Sequence, residues 1–234
     1  AVAPDGAPWH WDAEQQRWRP MSGKFARITA AEGNRPWAVD ADGVVFRYNG
    51  LWWENKDTDV ADVAADAVGN VYIAKVSGEI RKWNPLRSEW QPLEGVASRL
   101  ALDGTGNPWV VTANGRIRAF DGKAWIDLPG RARDIAANGP DTVVIADAEG
   151  RVRSWNPAGG RWDLVAGVGA VFAVAVAPDG GPWAVIEGGA IMATTLLVIE
   201  ERIKTEEGRA PQAQALQAEA PEAVAPVDNA PLAI

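Results

Sequence analysis

Residues 100–128 read Leu100-Ala101-Leu102-Asp103-Gly104-Thr105-Gly106-Asn107-Pro108-Trp109-Val110-Val111-Thr112-Ala113-Asn114-Gly115-Arg116-Ile117-Arg118-Ala119-Phe120-Asp121-Gly122-Lys123-Ala124-Trp125-Ile126-Asp127-Leu128. Four short apolar or alternating runs are separated by residues 104–107, by Asn114-Gly115 and by Asp121-Gly122. Asn-Gly and Asp-Gly supply the positive φ angles that tight hairpins need, and the flanking period is 2 rather than 3.6. The stretch therefore reads as a four-stranded antiparallel meander.

The same unit recurs along the chain. Trp18, Trp53, Trp90, Trp125 and Trp162 are separated by 35, 37, 35 and 37 residues, and Gly23, Gly95, Gly130 and Gly167 follow four of them at a distance of 5. A second column holds Trp11, Tyr48, Trp83, Phe120 and Trp155. A third holds Trp9, Trp37, Tyr72, Trp109 and Trp183, mostly after Pro. Of the 13 Trp, 12 fall in these columns and Trp52 alone stands outside. One fixed period shared by three aromatic columns identifies a repeat protein. The hairpin between the last two columns spans 5 residues at Tyr48–Trp53 and Phe120–Trp125, and 7 at Trp11–Trp18, Trp83–Trp90 and Trp155–Trp162. Its length varies by two while the flanking aromatics keep register, as a hairpin tip does on a fixed sheet.

Four-stranded units of this length suit an all-β fold, a β-propeller of antiparallel blades, better than a helical solenoid. The count is six, at about 1–23, 24–58, 59–95, 96–130, 131–167 and 168–199, with five or seven the alternatives if the chain is a fragment. The first unit is shortened, because Trp9 and Trp11 bring two columns almost together. Residues 1–9 match residues 175–183 at eight of nine places, so the chain starts inside a first strand. The sixth unit lacks the fourth-strand Trp and ends in Thr194-Thr195-Leu196-Leu197-Val198-Ile199. Beyond it, residues 200–234 are rich in Ala, Pro, Gln and Glu without aromatics, with 3 basic and 7 acidic residues. This composition predicts a disordered or extended tail, a solvated linker or an arm that orders against a partner.

The unit resembles the tectonin family of β-propeller repeats, most clearly at Pro36-Trp37-Ala38-Val39 with Gly43 and Tyr48, and at Asn107-Pro108-Trp109-Val110 with Gly115, Phe120, Trp125 and Gly130. The resemblance covers residues 1–199. It implies either a lectin-like protein that recognises glycan or lipopolysaccharide, or a propeller that serves as a protein scaffold. It transfers no lectin site residue by residue.

Composition narrows the chemistry. The 234 residues include no Cys and one His, so disulfides, thiolate chemistry, His-dependent triads and multi-His metal sites fall away. A net charge of −8 argues against nucleic acid as a partner. No run of 18 apolar residues is present, so no membrane span is expected. The start at Ala1-Val2-Ala3 reads as a processed or cropped terminus, and an extracytoplasmic setting (periplasmic, secreted or cell-surface) is expected. Asp40-Ala41-Asp42-Gly43 opens like a calcium loop but lacks the later bidentate Glu, and its counterparts in other units are hairpin turns. Gly122-Lys123 lacks the spacing of a phosphate-binding loop, and His10 between two Trp is packed or exposed rather than catalytic. No metal, no cofactor and no catalytic constellation is expected.

Two sets of candidate ligand-binding residues remain. Arg81, Arg118 and Arg153 share one column, each two residues before an aromatic and on its strand face. They read either as stems packed along neighbouring rings with their charge on solvent or a carboxylate, or as a rim of guanidiniums that grips phosphate or sialic-type carboxylates. Trp52 lies opposite Trp53 near a hairpin tip, where it could stack on a sugar ring while Asn49 bonds the hydroxyls, or add packing between blades. The expectation is a non-enzymatic lectin-like module for glycan or lipopolysaccharide at a cell surface. Its alternative is a structural or adaptor subunit, with the propeller as platform and the tail as anchor.

Overall fold

The computed structural model describes residues 1–193 apart from 4, 13, 139–141, 166–169, 178–179 and 187–190; the side chains of 34 and 191–193 are also left aside. The run 194–199 and the tail 200–234 lie outside the described residues.

Hydrophobic alternation and turn chemistry place the strands. Unit 2 is the meander β3 (Arg27–Thr29), β4 (Trp37–Val39), β5 (Val45–Tyr48) and β6 (Trp53–Asp57), preceded by the hairpin β1 (Trp9–Asp12) and β2 (Arg17–Pro20) of unit 1. Unit 3 is β7 (Val60–Ala65), β8 (Val71–Lys75), β9 (Glu79–Asn84) and β10 (Glu89–Val96). Unit 4 comprises β11 (Arg99–Leu102), β12 (Pro108–Val111), β13 (Arg116–Phe120) and the first half of the 14-residue strand β14 (Trp125–Asn138). The second half of β14 opens unit 5, which continues with β15 (Thr142–Asp147), β16 (Val152–Asn156) and β17 (Arg161–Leu164). Because β14 passes unbroken between them, units 4 and 5 form one seven-stranded sheet. Unit 6 shows β18 (Val171–Val176), β19 (Pro182–Ile186) and β20 (Ile191–Ala193). All pairings are antiparallel, and the fold is an all-β propeller.

In unit 1, Val2 pairs with Pro8 as Val176 pairs with Pro182, and Trp11 then pairs directly with Trp18. The second and third strands have merged into β1, which is how the first unit loses a strand.

Five-residue turns recur between strands. Asp40, Asp66, Asp103 and Asp147 each accept two backbone N–H bonds on one carboxylate oxygen, and a Gly three residues on supplies the positive φ. At Gly43 a Cβ would lie 3.2 Å from the carbonyl oxygen of Val60, so the turn also needs glycine for close approach to the next unit.

The core lies between units rather than within them. Trp37, Val39 and Val45 of unit 2 pack with Val63, Ile73 and Trp83 of unit 3, and three further clusters join units 3–4, 4–5 and 5–6 in the same way. Fourth-strand Trp residues stitch these joints. Trp53, Trp90, Trp125 and Trp162 donate their indole N–H to the carbonyls of Ser22, Lys56, Glu94 and Pro129 in the preceding unit, at 2.8, 3.1, 2.5 and 2.9 Å. Each indole, buried at Trp162 and half-buried at the other three, thereby fills a joint and satisfies its one donor.

The joints alternate. Trp37 meets Trp83 and Trp90 at ring distances of 5.5 and 5.6 Å, and Trp109 meets Trp155 and Trp162 at 6.1 and 6.5 Å. The intervening joint uses Tyr72 and Trp125 instead. Units 2 and 4 carry the shorter outer hairpins and units 3 and 5 the longer, so the structural period is a pair of units. By that alternation Trp183 belongs opposite Trp11 and Trp18. These three are 39%, 49% and 45% exposed, and among the described residues no ring contact joins Trp183 to the other two.

Candidate binding face

Each meander has two ends. One carries the turns between strands 1 and 2 and the outer hairpins between strands 3 and 4. The other carries the turns between strands 2 and 3 and the crossings from unit to unit. Arg81, Arg118 and Arg153 are the third, third and second residues of β9, β13 and β16, on the side of the second end, whereas Asn49 and Trp52 sit in the β5–β6 hairpin at the first. The two candidate sets therefore lie on opposite faces and cannot share one ligand site.

The three arginines each hold a carboxylate. Arg81 makes a two-pronged contact with Glu79 at 2.8 and 3.0 Å and reaches Asp57 at 3.6 Å. The bonded guanidinium of Arg81 holds the Glu79 carboxyl below its ordinary range. Arg118 pairs with Asp127 at 3.0 Å, its guanidinium 5.7 Å from the centre of the Trp125 ring. Arg153 bonds Asp147 at 2.7 Å and the carbonyl of Trp162 at 3.3 Å. Asn49 is likewise engaged: its oxygen accepts the N–H groups of Leu51 and Trp52, and its amide donates to Glu54 at 2.8 Å. The free feature of this hairpin is the ring of Trp52, 58% exposed beside exposed Leu51.

At the axis, the innermost strands carry a column of alternating charge: Arg27 on β3, Asp62 on β7, Arg99 on β11 and Asp134 on β14. Arg27 bonds Asp134 at 3.2 Å and lies 3.5 Å from Asp62; Arg99 lies 3.7 Å from Asp134. Both carboxylates are buried, and each uses its other oxygen to accept a backbone N–H from the following unit, Asp62 from Leu100 and Asp134 from Val174. Burial pushes the Asp62 carboxyl above its ordinary range against the pull of Arg27. At Arg27 burial opposes the charge, yet Asp62 and Asp134 together leave the guanidinium held more firmly protonated. This column is not among the residues the sequence singles out as aromatic or turn-forming. Its spacings of 35, 37 and 35 residues equal those of the fourth-strand Trp, and that shared period was the signal available.

The same end carries two open grooves at neighbouring joints. One, of 590 Å³, lies between units 4 and 5 over Ile145 and Trp162, with Arg131, Arg151, Arg153 and Arg161 around it. The other, of 480 Å³, lies between units 3 and 4 over Val96 and Ala97, with Arg116 and Arg118. Lining carboxylates are Asp147 and Glu149 in the first and Asp127 in the second.

The carboxylate of Asp40 is occupied by the N–H groups of Asp42 and Val44, so it serves the turn. No group of three or more candidate metal ligands converges among the described residues, and none of their helices is long and apolar enough to cross a membrane. His10 is exposed, 3.1 Å from the carbonyl of Trp11.

The fold and this two-ended arrangement define a β-propeller. Among solved structures the chain is similar to YCF48 bound to a D1 peptide, at 19% identity and a TM-score of 0.52 over 83% of this chain and 69% of that one. It is similar to the WD40 repeats of RRP9, at 14% identity and 0.55 over 79% and 71%. It is also similar to a chain of the mitotic checkpoint complex, at 10% identity and 0.58 over 81% and 68%. No family model matches the chain, and no curated protein sequence matches it.

Proposed function

We propose that this chain is a non-enzymatic adaptor whose propeller binds a polypeptide partner across the end bearing the two grooves, with residues 200–234 as its anchor. The carrying observation is that the two grooves occupy equivalent positions in adjacent joints. An extended segment laid over unit 4 would meet one groove after the other, whereas a compact ligand would fill only one. The likeness to YCF48, which is bound to a peptide, and to a chain of a multi-protein complex supports this use of the fold, although fold alone assigns no function. The paired tryptophans and Pro-Trp strands support a tectonin-like repeat.

A lectin-like reading draws on Trp52 alone, an exposed indole available for stacking on a sugar or lipopolysaccharide. Screening the chain in parallel against a peptide library and a glycan array, with and without residues 200–234, separates the two. Peptide enrichment without glycan signal is the expected outcome. A glycan or lipopolysaccharide signal abolished by Trp52→Ala, with no peptide enriched, would transfer the function to the second reading.

A further inference from the structure

Arg116 and Arg131 face each other directly across β13 and β14, and both are exposed. Like charges in opposed positions on a sheet repel, and such pairs are ordinarily avoided or bridged by a carboxylate. Here no carboxylate among the described residues pairs with either; the guanidinium of Arg131 donates only to the carbonyl of Asn114. The pair also sits where the grooves meet, Arg116 lining the smaller and Arg131 the larger. Six arginines line the two grooves; Arg118, Arg151, Arg153 and Arg161 pair with Asp127, Asp147, Glu149 and Asp163, which leaves Arg116 and Arg131 as the excess on a chain whose net charge is −8. A local excess of guanidinium against an acidic background marks where an anionic partner gains from complementarity. Between the charges the floors are apolar, with Ile145 and Trp162 in one groove and Val96 and Ala97 in the other.

Resting on the polypeptide reading above, we infer that the partner segment is acidic: an extended strand of alternating carboxylate and apolar residues that bridges Arg116 and Arg131. Its side chains alternate sides with period 2, so a strand set on edge turns its carboxylates to the arginines on one side and its apolar residues to the groove floors on the other. Two-pronged arginine–carboxylate bonds would replace a repulsion with two attractions. The affinity must fall with added salt, since these charges stand in solvent.

The test uses the full chain and a fluorescein-labelled peptide of alternating Glu and Leu, with Gln replacing Glu in a control peptide. The double variant R116Q/R131Q removes the opposed charges without stranding a carboxylate, so it should melt no lower than the parent. Arg87→Gln, at the opposite end, serves as control. The expected result is binding of the Glu peptide, about tenfold weaker in the double variant and unchanged in Arg87→Gln. Equal binding of the Glu and Gln peptides, or equal binding by parent and double variant, overturns the acidic assignment. If library peptides of other composition then bind this end, the polypeptide reading survives that loss. If no peptide binds and anionic lipid vesicles do, both readings fall together.

Discussion

Arg27, at the start of β3, bonds Asp134 on β14 at 3.2 Å across 107 residues of sequence. The same guanidinium lies near Asp62, so one side chain ties units 2, 3 and 5 at the axis. Asp62 and Asp134 extend the tie by accepting N–H groups from units 4 and 6. A chain of charges from Asp62 through Arg27 and Asp134 to Arg99 thus ties the inner strands.

Replacing Arg27 by Ala should therefore destabilise the fold, because two buried carboxylates lose their shared cation. A loss of about 3 kcal/mol is expected, the low end for a broken buried pair, since Arg27 is partly in solvent and Asp62 can take up a proton. Arg27→Lys should recover only part of it, as an ammonium lacks the fork that serves two carboxylates. Urea unfolding of the three proteins would check this, and an Arg27→Ala midpoint equal to that of the parent would remove the axial cluster from the account.

Trp90 lies at the joint of units 2 and 3, packed on Trp37 and Trp83 and bonded to the carbonyl of Lys56. Burying an indole removes roughly 150–250 Å² from water, worth about 4–6 kcal/mol gross at ~25 cal/mol per Å². Trp90→Ala should cost about 3–5 kcal/mol. Thermal or urea melts would show it, and no measurable shift would make Trp90 a surface ornament.

Much of this was legible in the sequence because the propeller repeats its contacts. Each joint needs one wide, flat side chain with one donor, so the same residue type returns at the same interval and the period reads directly. Asn-Gly and Asp-Gly marked the turns for a local reason: Gly50, Gly115 and Gly122 take positive φ, while the side chains of Asn49 and Asp121 accept backbone N–H groups two and three residues on. The axial column has the same interval but alternates Arg with Asp, so it does not present itself as one residue repeated. Asn49, Arg81, Arg118 and Arg153 illustrate a second limit. Whether a polar side chain is free depends on partners such as Glu54, Asp57, Asp127 and Asp147, and one sequence does not show which partners come within reach. The opposed pair of Arg116 and Arg131 depends on strand register, including the bulge beside Arg116, which composition cannot reveal.

Asp147 gives the fold a defined acid sensitivity. Burial raises its carboxyl, but bonds from the guanidinium of Arg153 and from the N–H and guanidinium of Arg151 more than offset that, and its pKa lies below the ordinary value. A carboxyl depressed in the folded state contributes stability that is fully present above the unfolded value of about 3.9. That contribution is lost as pH falls through the lower folded value. Melting curves from pH 5 downward should thus fall more steeply for the parent than for Asp147→Asn. Asp62, raised by burial, has the opposite sign: its contribution grows as pH falls. Parallel acid profiles for the parent and Asp147→Asn would show that these bonds do not distinguish the protonation states.

The ends of the ring make a comparison possible within one chain. Trp109 and Trp183 occupy the same column, each opposite a small residue of the first strand, Ala101 and Ala175. Trp109 is buried against Trp155 and Trp162, whereas Trp183 is 39% exposed and has no ring contact among the described residues. Apolar stabilisation scales with area removed from water, and Trp183 is 39% exposed against 9% for Trp109, so Trp183→Ala should cost about two thirds as much as Trp109→Ala, for which about 3–5 kcal/mol is expected. Quenching by acrylamide should likewise be strong for Trp183, Trp11 and Trp18 and weak for Trp109. Equal costs at the two positions would mean that Trp183 is covered in solution, and the partner to examine first is the hairpin of Trp11 and Trp18. In that case Trp18→Ala should match Trp183→Ala in size, and the double variant should cost less than their sum, as expected for residues in contact.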